Sequence, residues 1–128
     1  NNIIHFISVA QNIPLTKINK GQYPLSEMYG IIKPEYSMHD DTNTDLLTEI
    51  ASFDKIIIAG EAKSHCVLES VRQICEYYFD KLEITRKIYV LTDCMSDIQG
   101  FEQYSETRYN ILANKYKINL VKSTDNFL

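Results

Sequence analysis

No stretch of this sequence is long and apolar enough to read as a membrane span. The longest apolar runs, such as Ile56-Ile57-Ile58-Ala59, fall far short of the ~20 residues a spanning helix needs. Basic clusters are missing as well. The 13 Lys and Arg residues are scattered among 17 acidic ones, for a net charge of −4. A phosphate backbone asks for a basic face, so the expected partners include neither nucleic acid nor membrane. The first residues, Asn1-Asn2-Ile3-Ile4-His5-Phe6, carry no basic signal-peptide start and no initiator Met. The three cysteines, Cys66, Cys75 and Cys94, are odd in number and form no Cys-x-x-Cys. They do not make a disulfide framework, and a cytoplasmic, reducing location is expected. His5, His39 and His65 are far apart, so a structural zinc site would be an accident of folding. Internal repeats and low-complexity segments are absent too.

What remains is a chain of 128 residues, 45% apolar and 23% charged, enough for one domain with a real core. Lys55 to Gly60 is a β-branched run ending in glycine and predicts a buried strand. From Ser64 to about Phe79, apolar residues fall at Val67, Leu68, Val71, Ile74, Cys75 and Tyr78, the stripe of an amphipathic helix, with Ser64 as a candidate cap. Lys87 to Leu91 predicts a second buried strand, Asp93 to Gly100 a polar loop, Phe101 to about Lys117 a helix, and Ile118 to Lys122 a last strand. Earlier, Asn43 to Phe53 predicts a helix capped by an Asp or Thr, and Leu15 to Asn19 a strand. Ile3 to Val9 fits a strand or the end of a helix equally well. Gly21 to Asp41 contains Pro24, Gly30 and Pro34 and predicts a long loop, of the kind that usually carries function.

Alternating strands and helices imply right-handed crossovers and a mainly parallel sheet with helices on both faces, a three-layer αβα fold. Ligands bind such sheets beyond the carboxyl ends of the strands. Three places qualify: Lys20-Gly21, Gly60 to Cys66, and Thr92-Asp93-Cys94. Of these, Gly60-Glu61-Ala62-Lys63-Ser64-His65-Cys66 carries the strongest chemical signal. A strand ends, a short turn follows, and a cysteine sits in the first turn of a helix. The partial positive charge there favours thiolate over thiol, and the free N–H groups of the turn can hold an oxyanion. That is the layout of a cysteine nucleophile. A lone cysteine is more often a small buried hydrophobe, and at this point both readings stand. Cys75 lies on the apolar stripe and is expected in the core. Cys94 follows a strand and is a candidate to line the same cleft. His65 adjoins Cys66, but helix neighbours point about 100° apart, so a surface or capping role is expected for it.

Ile58-Ala59-Gly60-Glu61-Ala62-Lys63-Ser64-His65-Cys66-Val67 resembles the cysteine-loop signature of the isochorismatase-like hydrolases, and within them that of the nicotinamidase-related amidases. Lys20-Gly21-Gln22-Tyr23-Pro24-Leu25-Ser26-Glu27-Met28-Tyr29 and Val90-Leu91-Thr92-Asp93-Cys94-Met95-Ser96 are similar to two further stretches of that group, in the same order. The resemblance implies Cys66 as nucleophile, Lys20 as active-site lysine and the N–H groups of Ala62 and Cys66 as oxyanion donors. A cis peptide between Glu61 and Ala62 is implied too. Glu61 and Tyr29 are offered as substrate-binding residues. The implied activity is hydrolysis of a small amide through a thioester, with isochorismatase-type hydrolysis or a non-catalytic binding or dimerisation module as the alternatives. The family's catalytic Asp, in a hydrophobic-Asp-x-Gln context, has no counterpart here, and neither has its metal-binding Asp/His cluster. Residues 1–128 are therefore expected to be the C-terminal part of a single isochorismatase-like hydrolase domain, truncated at the N-terminus and inactive alone. No cofactor or metal site is expected in this chain. A zinc-type divalent metal would come with the missing N-terminal region, and a homo-oligomer or association with that region is the expected assembly.

Overall fold

The computed structural model describes residues 2–22 and 24–128. The first helix, α1, spans Asn2–Gln11, which settles the Ile3 to Val9 ambiguity in favour of helix. Next come α2 (Thr44–Ala51), β1 (Ile56–Ile58), a π-helical turn (Lys63–Val67) that runs straight into α3 (Leu68–Tyr77), and a one-turn α4 (Leu82–Thr85). The chain ends with β2 (Ile88–Leu91), α5 (Glu102–Tyr116) and β3 (Asn119–Val121). Among the described residues no helix is long and apolar enough to cross a membrane.

The strands form one parallel sheet in the order β1-β2-β3, with Ile56 opposite Ile88 and Val90 opposite Leu120. Side chains two apart on a strand share a face. Ile56, Ile88 and Val90 are buried, and Ile58 and Leu120 pack against them. The face between them is less covered. Ile57 is 46% exposed, while Tyr89 stacks on Phe127 at 5.4 Å between ring centroids. All six residues of the predicted helical stripe are buried, with Val71 and Cys75 fully enclosed. Each such side chain contributes roughly 1.5–3 kcal/mol by leaving water. The Tyr78 hydroxyl also donates to the Leu47 carbonyl at 2.8 Å, tying the end of α3 to α2.

Four local expectations change. Leu15 to Asn19 is irregular and pairs with no strand among the described residues, and Pro14 just before it has no N–H to give a ladder. The α2 cap is Asn43, whose Oδ1 accepts from the Leu46 N–H at 3.0 Å, rather than an Asp or Thr. Ser64 does not cap the cysteine helix, because the turn starts at Lys63 and its cap position is Ala62, two residues sooner. Its buried hydroxyl accepts instead from the Ile98 N–H at 3.0 Å. The short α4 escaped the periodicity reading, since a four-residue helix shows no stripe.

Candidate active site

At the carboxyl end of β1 the chain must turn sharply from strand into helix. Gly60 makes the turn with φ +146°, a conformation L side chains rarely adopt. The Glu61–Ala62 peptide that follows is cis, as the resemblance implied. The Ala62 carbonyl then accepts from both the His65 N–H and the Val67 N–H, each at 3.2 Å. The second of these bonds spans five residues and creates the π turn, a feature that recurs at functional sites. Among the described residues the Ala62 N–H has no hydrogen-bond acceptor of its own. Cys66 sits in the same turn, half-buried and unpaired.

The loop after β2 holds this turn from behind. The Ser96 N–H donates to the Glu61 carboxylate at 3.1 and 3.3 Å, and the Lys63 N–H donates to the Ser96 carbonyl at 2.9 Å. The Lys63 ammonium lies 3.7 Å from Asp97, whose other carboxylate oxygen is buried without a partner among the described residues. From α5 the Tyr109 hydroxyl donates to the Lys63 carbonyl at 2.9 Å. Burial, with the Asp97 charge behind it, pushes the Tyr109 phenol up, so it stays a neutral donor. Within α3, the Ser70 hydroxyl donates to the Cys66 carbonyl at 2.7 Å.

Cys66 opens into a cleft of about 440 Å³. Lys20, Tyr29 and Glu61 line the same cleft, and Ile31, Leu46, Ile50, Ile57, Val67 and Ile74 give it an apolar wall. Its side is formed by the long loop, where the Lys20 ammonium donates to the Tyr29 carbonyl. Four of the residues singled out in the sequence, separated by up to 46 positions, thus meet around one space. Tyr23, between Lys20 and Tyr29, lies outside the described residues.

Compared with known proteins, the chain matches a crystal structure of the yeast nicotinamidase bound to the inhibitor nicotinaldehyde, with a TM-score of 0.65 and 21% sequence identity. The match covers 94% of this chain and 50% of that one, so the chain spans about half the length of the solved structure. No family model matches, and no curated protein does. The fold is isochorismatase-like.

On this isochorismatase-like frame the other candidates fall outside the cleft. Cys75 is fully buried in the core, and burial pushes its thiol up to about 12. Cys94 is exposed, beside the Asp93 carboxylate, and is absent from the cleft wall, contrary to the expectation from its place after β2. Asp93 is occupied in holding Ser123 through both the N–H and the hydroxyl, and these bonds hold its carboxyl below the usual carboxylate range. His65 is half-buried and occupies neither cap position of the π turn. Its Nδ1 lies 2.8 Å from the Ser64 hydroxyl and its ring meets Phe101 edge-on at 4.8 Å. No three His, Cys, Asp or Glu side chains among the described residues gather to hold a metal ion. His39, Asp40 and Asp41, adjacent in sequence, do not fit one, since Asp40 is turned to Thr42 and Asp41 to Ser37.

Residue-by-residue reading missed the groups that build the cleft without lining its chemistry: Gln73, Tyr109 and the Ser96-Asp97 pair. Gln73 had a visible signal. It is a polar residue flanked by Val71, Ile74 and Cys75, and it is 3% exposed.

Proposed function

We propose that this chain carries the nucleophile half of a cysteine hydrolase acting on a small amide, of the nicotinamidase type. The observation that supports it is the meeting of Cys66, Lys20, Tyr29 and Glu61 around one cleft beyond the carboxyl end of β1. In this reading the Cys66 thiolate attacks the amide carbon. The Ala62 and Cys66 N–H groups take up the developing oxyanion, the amine leaves with a proton, and water releases the acid from the thioester. Lys20 supplies positive charge at the mouth of the cleft. The apolar wall suits a flat ring, with Tyr29 beside it. Three unpaired thiols fit a reducing, cytoplasmic setting.

One observation favours a second reading. Glu61 is the sole carboxylate among the cleft residues, and it already accepts from the Ser96 N–H. A positioned acid/base contributes on the order of 10²–10⁴ in rate, so with Glu61 engaged the chain alone binds but turns over slowly. A ligand-binding role, or an isochorismatase-type reaction that does not need the thiolate, fits that cleft equally.

Ammonia release from nicotinamide tests the proposal. The chain alone should release little. Joined to a segment that places a carboxylate at the cleft, it should turn over, and Cys66→Ala should abolish the gain. Absence of Cys66-dependent release from the joined protein overturns the amidase reading. Robust turnover by the chain alone would show that a residue already present serves as base.

A further inference from the structure

The long loop that lines the cleft is held against one face of α3. Ser70 and Gln73, three residues apart, lie on the same side of the helix. Gln73 is almost fully buried, and its oxygen accepts from the Ile32 N–H and the Lys33 N–H, each at 3.2 Å. Its amide donates to the Lys33 carbonyl at 2.9 Å and, more weakly, to Glu69 and Glu35. Ser70 accepts from the Ile31 N–H at 3.1 Å while donating to the Cys66 carbonyl. Three successive loop amides are therefore fixed by two side chains of the nucleophile's own helix. Glu35 closes the other side of the turn, taking the Tyr29 N–H at 2.7 Å and the Gly30 N–H at 3.1 Å. Tyr29 then presents its carbonyl to Lys20. Gly30 fits against this arrangement with no room to spare, since a Cβ there would stand 2.3 Å from the Gln73 oxygen.

A glutamine costs free energy in a core unless its amide is satisfied, and here every bond it makes to main chain goes to the loop. We propose that Gln73 is a positioning residue: by gripping Ile32 and Lys33, with Ser70 gripping Ile31, it sets the loop so that Tyr29 holds the Lys20 ammonium at the Cys66 cleft. Gln73 is not itself among the cleft residues, so it acts through Lys20. The inference rests on the reading of Cys66 and Lys20 as one site.

The test compares two alkylating reagents on the full chain. Iodoacetate is an anion and iodoacetamide is neutral, so the ratio of their rates at Cys66 reports positive charge beside the thiol. Rates are read at Cys66 by peptide mass spectrometry in low salt. Lys20→Met should lower the ratio about fivefold, the scale of one partly exposed charge. Gln73→Leu should lower it by a similar factor, and the double variant should fall no further than Lys20→Met. Gly30→Ala, which pushes the Gln73 amide aside without emptying the core, should do the same. It decides the matter if circular dichroism shows that Gln73→Leu folds poorly. A purely structural glutamine would lower the unfolding temperature and leave the ratio alone. If Lys20→Met lowers the ratio but Gln73→Leu and Gly30→Ala do not, the positioning role is wrong and the site stands. A double variant that falls below Lys20→Met overturns the role as well. If Lys20→Met itself changes nothing, the shared site and the positioning role fall together.

Discussion

Cys75 should be all but inert to alkylation in the folded protein. Its thiol is fully enclosed in the core on the buried face of α3, and burial holds it at about 12. At pH 8 that leaves about one thiolate in 10⁴, against about one in four for a free thiol near 8.5. The chemical factor alone is more than about 10³, and enclosure adds the cost of opening the helix to admit a reagent. Iodoacetamide pulses followed by trypsin give a direct assay. Lys63, Arg72, Lys81, Lys87 and Arg108 separate the three cysteines onto different peptides. Folded protein should label at Cys66 and at exposed Cys94, with Cys75 more than about 10³-fold slower than the same residue in urea. Cys75 labelling within about tenfold of Cys66 under folding conditions would refute the placement of this helix face in the core. The assignment of Cys66 as the reactive member of the helix would go with it.

Tyr109→Phe removes the hydroxyl that satisfies the Lys63 carbonyl behind the cysteine turn. Leaving that carbonyl unpaired should cost about 1–3 kcal/mol, read from urea unfolding, and a loss below a few tenths would mean that water replaces the phenol. Glu69 is held below the usual carboxylate range by its bonds to the Arg72 guanidinium. A depressed folded value means that this stabilisation is fully present above the unfolded value of 4.5 and is lost as pH falls through the folded one. The unfolding temperature of Glu69→Gln should therefore fall less between about pH 6 and about pH 3 than that of the natural chain. An equal fall would place the acid sensitivity elsewhere.

How far the sequence discloses this molecule depends on the range of the forces involved. The strands at Ile56–Ile58 and Ile88–Leu91 and the stripe from Val67 to Tyr78 were legible because burial imposes a period on neighbouring residues. The cysteine turn was legible because Gly60 and Cys66 are bound to one local geometry. Leu15 to Asn19 misled because Thr16 and Ile18 favour a strand, and whether the segment becomes one depends on a neighbour elsewhere in the chain. Ser64 misled for a related reason, since its hydroxyl found Ile98, 34 residues away, in preference to its own helix. The grip of Gln73 on the long loop spans 40 and 41 residues, and nothing in the spacing of the sequence announces it.

The central claim is that Cys66 can add to a small carbonyl compound inside this cleft. An aldehyde tests it most directly, because forming the hemithioacetal needs the thiolate and the oxyanion donors but neither a leaving group nor a positioned acid. Nicotinaldehyde, the inhibitor bound in the yeast nicotinamidase structure, is the natural probe. It should protect Cys66 from iodoacetamide saturably and reversibly, leave Cys94 labelling unchanged, and protect less well in Lys20→Met. Protection that is absent at Cys66, or equal at Cys94, would contradict the account.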